Sequence, residues 1–176
     1  MLVILFLCFS IAMLYYVIVS PKSEDGATRM LGHELLLVTS NSMEDTGDVD
    51  TSDFEIKGFK KNTLISIERV PEDAVEAAAW YDAVEVGDVL TVRYVYDRQV
   101  TITHRVIAKE DNGKGGYIIS LSGDNKGSDA ARLSQTIDTS DTEGYNYVMG
   151  KVIWTSYPFG LVIGAFQRAI YAIFKE

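Results

Sequence analysis

Val100-Thr101-Ile102-Thr103-His104-Arg105-Val106-Ile107-Ala108, then Asp111-Asn112-Gly113-Lys114-Gly115-Gly116, then Tyr117-Ile118-Ile119-Ser120-Leu121-Ser122 read as strand, turn and strand. β-Branched residues alternate through the first run, and Asn-Gly between the two supplies a backbone that turns at little steric cost. The pattern predicts an antiparallel hairpin. Side chains alternate along a strand, so Val100, Ile102, His104 and Val106 share one face and Thr101, Thr103 and Arg105 the other. Folding the run about 111–116 pairs positions whose numbers sum to about 227, which sets His104 opposite Gly123. Asp124 is then next door, and Asp129 lies a few residues further round the turn.

His104 points the way the apolar residues point. Burial there disfavours the imidazolium and keeps the ring neutral, able to accept a proton at physiological pH. A core histidine bonded to a backbone carbonyl has the same pattern. The nearby aspartates give the catalytic reading its weight, because a carboxylate beside a base holds the tautomer and stabilises the imidazolium. Gly123-Asp124-Asn125 is also good turn chemistry, so the aspartates alone leave both readings open.

Working outward, further strands are expected over Glu34–Thr39, Asn62–Arg69, Val89–Tyr94 and Tyr145–Trp154, with a short helix opened by Pro71 and its following acids. These make a mainly β, antiparallel chain of one globular unit, flanked by apolar ends. Leu2 to Ser20 carries no charge and is long enough as a helix to cross the roughly 30 Å hydrocarbon layer, so residues 1–20 read as a transmembrane helix. The rival, a cleaved signal peptide, lacks support: there is no basic n-region and no small-x-small cleavage site. A linker over 21–33 leads to a β domain over 34–156, with an insertion about 44–85. The last stretch, 157–176, is an apolar helix associated with the membrane. It either lies in the interface or begins a second, truncated span.

Composition narrows the classes. A formal net charge of −9, with no basic patch along the sequence, makes nucleic acid and broad adhesion to anionic lipid poor partners. The single cysteine, Cys8, allows neither an intrachain disulfide nor a thiolate metal site. Glu44 to Glu55 holds six acids, and the spacing of Asp48, Asp50, Asp53 and Glu55 hints at calcium. A solvated acidic loop explains it better, because the glycine and closing glutamate of a calcium loop are missing. No cofactor or metal is expected.

Ser42, in Val38-Thr-Ser-Asn-Ser-Met-Glu44, follows a buried strand a short way past the apolar segment and is the candidate nucleophile. A serine hydroxyl needs a base and an oxyanion donor before it reacts. Nothing local links it to His104.

Four stretches in order supply the link. Ser40-Asn41-Ser42-Met43, Gly87-Asp88-Val89, Thr103-His104-Arg105-Val106 and Gly123-Asp124-Asn125 with Asp129, behind an N-terminal apolar segment, resemble the boxes of type I signal peptidases. Histidine at 104 makes the resemblance one to the histidine-using branch, the endoplasmic-reticulum type that bacteria also carry as SipW-like enzymes. The resemblance covers most of the chain. It implies an antiparallel signal-peptidase-type β domain, outside the cytoplasm, on a membrane anchor. Ser42 would be the nucleophile and His104 the general base. Ser40, with the Ser42 backbone N–H, would form the oxyanion hole. Asp124 and Asp129 would be the acidic positions, with Asp129 favoured as the one facing His104. Their separation is one residue shorter than the family's, Asp45 stands where a proline is usual, and the stretch from Glu44 to Glu85 is longer than in compact members. The implied substrates are signal-peptide-bearing preproteins at the lipid bilayer, with or without a partner that presents them, cut after small residues at the first and third positions before the bond. Other classes are a non-catalytic membrane-tethered β domain that scaffolds exported proteins, and a serine protease of this fold with other membrane substrates.

Overall fold

The computed structural model of the chain describes residues 28–30, 33–94, 97–128, 135–141 and 148–173. The segment 1–20 and Asp129 lie outside them. Among the described residues eight strands make one antiparallel sheet: β1 Thr28–Met30, β2 His33–Leu37, β3 Leu64–Arg69, β4 Val89–Tyr94, β5 Asp97–Asp111, β6 Tyr117–Ser122, β7 Gln135–Asp138 and β8 Val148–Ser156. Their order is β1-β2-β3-β8-β4-β5-β6-β7, so the last strand of the chain sits in the middle of the sheet. The described residues also include two helices, α1 Ala74–Asp82 and α2 Tyr157–Ile173.

The hairpin of β5 and β6 forms as its pattern requires. Arg105 faces Ser122 and Val106 faces Leu121, the predicted register. The register then slips by one residue before Ala108, and Ile107 is left half exposed, the behaviour of a bulge. Gly113 and Gly115 take positive φ in the turn, while the Asn112 side-chain oxygen accepts from Lys114 and Gly116 N–H.

Two strands fall where the side-chain pattern predicts none. β1 lies in the stretch read as a linker; three residues are too few for an alternation to show, and the strand is defined by its return onto β2, Met30 against His33. β7 is four residues long in a polar stretch and is held by β6. α1 begins later than Pro71, because the Asp73 carboxylate caps Val75 and Glu76 N–H. Among the described residues no helix is long and apolar enough to cross a membrane.

The sheet buries both faces. Leu90 joins an apolar cluster with Tyr81, Ile102, Val106, Ile119 and Leu121. Its neighbour Val89 enters a second cluster with Met43, Phe59, Ile65, Ile67 and Val152. Met43 and Phe59 bracket the acidic part of the insertion, so that segment is fastened to the body rather than projecting from it.

Candidate active site

Residues 41–44 form a tight turn directly after β2, closed by the Glu44 N–H on the Asn41 carbonyl. Neighbours fix it from two sides. The Phe59 N–H donates to Met43 O and the Lys61 N–H to Asn41 Oδ1, both from the end of the insertion. From the loop after β6, the Asn125 N–H donates to Ser42 O at 3.0 Å and its side-chain amide to Asn41 O at 3.1 Å. All but the Lys61 bond, which holds the Asn41 side chain, fix the backbone of the turn, which is what the candidate nucleophile needs to keep its side chain aimed.

Ser42 is buried, and its hydroxyl lies 3.2 Å from the Ser40 hydroxyl. His104, completely buried, lines the same cleft of about 190 Å³ as Ser40 and Ser42. Leu36, Val38, Met43, Phe59, Ile65 and Ile102 supply its apolar walls. Three of the sequence-derived candidates thus share one cavity, although the histidine comes from a different half of the sheet.

Two backbone stretches, residues 36–40 and 100–104, line the cleft. Among the described strands the first continues from β2, which pairs with β3, and the second belongs to β5, which pairs there with β4.

The pairing sum would put Asp124 beside His104, but the β5–β6 ladder ends at Arg105 and Ser122, and the Asp124 carboxylate is held by Arg105. Arg105 Nε and Nη2 grip the two oxygens at 2.9 and 2.7 Å, with both side chains almost fully buried. Arg105 Nη1 donates to Gly87 O at 2.6 Å and to Ile56 O at 2.9 Å, and the guanidinium lies 4.8 Å from the Phe54 ring centre. A bidentate pair of this kind is the strongest hydrogen-bonded arrangement two side chains make. One residue therefore ties together β5, the loop after β6, the turn before β4 and the insertion. Gly87 belongs to this clamp: its φ of 103° and the Phe54 ring against it leave no room for a side chain.

Sequence reasoning missed Arg105, Asn125 and the phenyl ring of Phe54. Alternation set Arg105 on the face away from the apolar residues, and nothing local says that a segment fifty positions earlier covers that face. An arginine in the middle of an otherwise apolar strand was the available signal.

The acidic loop is self-organised. Asp45 accepts from Gly47 N–H, Asp48 from Thr46 and from the Lys126 N–H, and Asp50 from Ser52 N–H. The Ser52 backbone bond, with help from its hydroxyl, holds the Asp50 carboxyl below the usual range. Lys57 Nζ donates to the Thr51 and Ser52 carbonyls. Among the described residues no three metal-ligating side chains stand together.

No protein-family model matches this chain, and no curated protein matches it.

Proposed function

We propose that this chain is a membrane-anchored serine endopeptidase that releases signal peptides from exported preproteins, acting outside the cytoplasm. The observation that carries the reading is the convergence of Ser42, Ser40 and His104 on one cleft from distant parts of the sequence.

In this mechanism His104 takes the Ser42 proton as the hydroxyl oxygen attacks the scissile carbonyl. The oxyanion so formed is met by the Ser42 N–H and the Ser40 hydroxyl, which lies close enough to turn from Ser42 toward it. His104 then passes its proton to the leaving amine, giving an acyl-enzyme on Ser42. Water enters, loses its proton to His104 and attacks the ester; the proton returns to Ser42 as the acid leaves. The Asn125 bond to Ser42 O keeps the backbone fixed through both halves. Asp129 is proposed as the group that orients His104, and Asp124, through Arg105, as the post that holds the loop carrying Asn125.

The two backbone stretches along the cleft support an extended peptide as substrate. A strand laid between 36–40 and 100–104 would present alternate side chains to the apolar walls. Small residues suit such walls. The closeness of Ser42 to the proposed span then has a use, since a signal peptide's cleavage bond emerges at the bilayer surface.

The test is cleavage of a labelled preprotein by the full chain in detergent. Cleavage that disappears in Ser42→Ala and in His104→Ala is the expected outcome; activity surviving either change overturns the mechanism. Because the base must be neutral, kcat/KM should fall as pH drops into the acid range and the imidazole takes up a proton. A rate flat through that range counts against a histidine base.

A further inference from the structure

We infer that the outer face of α2 lies flat on the bilayer surface and fixes the height of the cleft above it. This deepens the reading above and rests on its placing the chain at a membrane.

The two sides of α2 are unlike. On the inner side Gly160 and Gly164, one turn apart, seat the helix directly on the chain at 62–64: a Cβ at Gly160 would run into the Asn62 carbonyl, and one at Gly164 would touch Leu37. The other side carries Phe159, Val162 and Phe166 at helical spacing, 49, 68 and 43 % exposed. Trp154 of β8 extends this face, 43 % exposed, its ring 6.2 Å from that of Phe159. The helix is therefore packed tightly where it meets the protein and apolar where it does not.

Position and charge name the occupant. Thr28 pairs with Leu35, Leu37 with Leu64, and Leu64 with Ser156, so the chain leaving residues 1–27 enters the sheet at the end from which α2 departs. That incoming segment holds the uncharged run from Leu2 to Ser20. Lys60, Lys61 and Arg168 are exposed at the same end, Lys60 Nζ sitting 4.1 Å over the Tyr157 ring, and no acidic residue occurs between Tyr157 and Ile173. In a chain of net charge −9 this is a local basic rim, matched to anionic headgroups. Aromatic rings beside cations are the side chains that settle at a membrane interface. At about 25 Å for seventeen residues, with Gln167 and Arg168 inside it, α2 is shorter than the hydrocarbon layer and is already tied down at its first turns.

The experiment uses the full chain carrying Trp80→Phe, which leaves Trp154 as the reporter, in vesicles of phosphatidylcholine and phosphatidylglycerol with bromine at a shallow or a deep acyl position. Shallow bromine should quench Trp154 about twofold or more and deep bromine much less. Val162→Asp and the milder Val162→Ser should reduce that quenching. The converse protein, Trp154→Phe with Trp80 kept, should be unquenched, since Trp80 packs against the core. Absent quenching overturns the inference; equal quenching at both depths overturns it in favour of a span; quenching that appears only when protein is diluted among vesicles overturns it in favour of a second copy covering the face. Peptide cleavage measured on the same vesicles separates the two proposals. Cleavage without quenching sinks this inference alone, and quenching without cleavage sinks the protease alone.

Discussion

His104 and Arg105 are neighbours on β5, and both are buried, yet their surroundings are opposite. His104 faces a cavity in which substrate atoms have room to arrive. Arg105 faces a filled space in which a carboxylate, two carbonyls and an aromatic ring occupy the guanidinium from every side. One strand thus carries the proposed base on one face and a restraint on the other. The difference teaches that burial alone does not identify a working residue; what the side chain faces does.

The widest separation comes from comparing His104→Ala and Ser42→Ala with the parent. Each should lower the rate by about 10⁴-fold or more, by analogy with other serine triads, while the melting temperature barely moves. Arg105→Ala should do the reverse and destabilise by about 3–5 kcal/mol, because Asp124 is left buried without its partner. Replacing both, Arg105→Met with Asp124→Leu, should lose less than either single change in denaturant titrations, since an apolar pair needs no desolvation. If Arg105→Ala is as stable as the parent, the clamp is ornamental. Next in size, Ser40→Ala should slow kcat by about 10²–10³-fold with KM little changed, the signature of a donor used only in the transition state.

The smallest effect is a control far from both faces. Asp138 accepts from the Ser140 hydroxyl and N–H and from Asn112, and these bonds, the hydroxyl first, hold its carboxyl below the usual range. A carboxyl so lowered stabilises the fold above its unfolded pKa, and that stability is lost as pH falls through the folded value. Asp138→Asn should therefore melt slightly earlier than the parent at neutral pH, and the gap should close below about pH 4. A gap constant with pH would remove the carboxylate as its cause.

Much of the frame was legible because alternation and turn residues are local. The β5–β6 hairpin, its register at Arg105 and the strands β2, β3, β4 and β8 all follow from side-chain period and from Asn112-Gly113. Ser42 and His104 were each singled out locally, but only a resemblance linked them, since no rule of propensity spans the interval between them; the fold brings both to one cleft. Arg105 and Asn125 were not legible. Their partners, Ile56, Asn41 and Ser42 among them, are set by how the insertion and the loop after β6 fold over the sheet, and that depends on the apolar fit of Met43 and Phe59 against Ile65 and Val89. β1 and β7 escaped because a strand of three or four residues draws its definition from its neighbour.

The place of β8 between β3 and β4 has a consequence for time as well as space. Ser42 belongs to the half of the sheet built on β2 and β3, and His104 to the half built on β4 and β5; among the described strands, it is β8 that pairs with both halves. Such a closure depends on contacts between segments far apart in sequence, and contacts of that kind form late and slowly. During synthesis the two halves are made long before the strand that joins them. A growing chain would therefore carry the proposed nucleophile and base without a working pair, and the proposed competence would arrive only when residues 148–156 have emerged. A chain stopped before Val148 should bind and cleave nothing, even with every reacting side chain present.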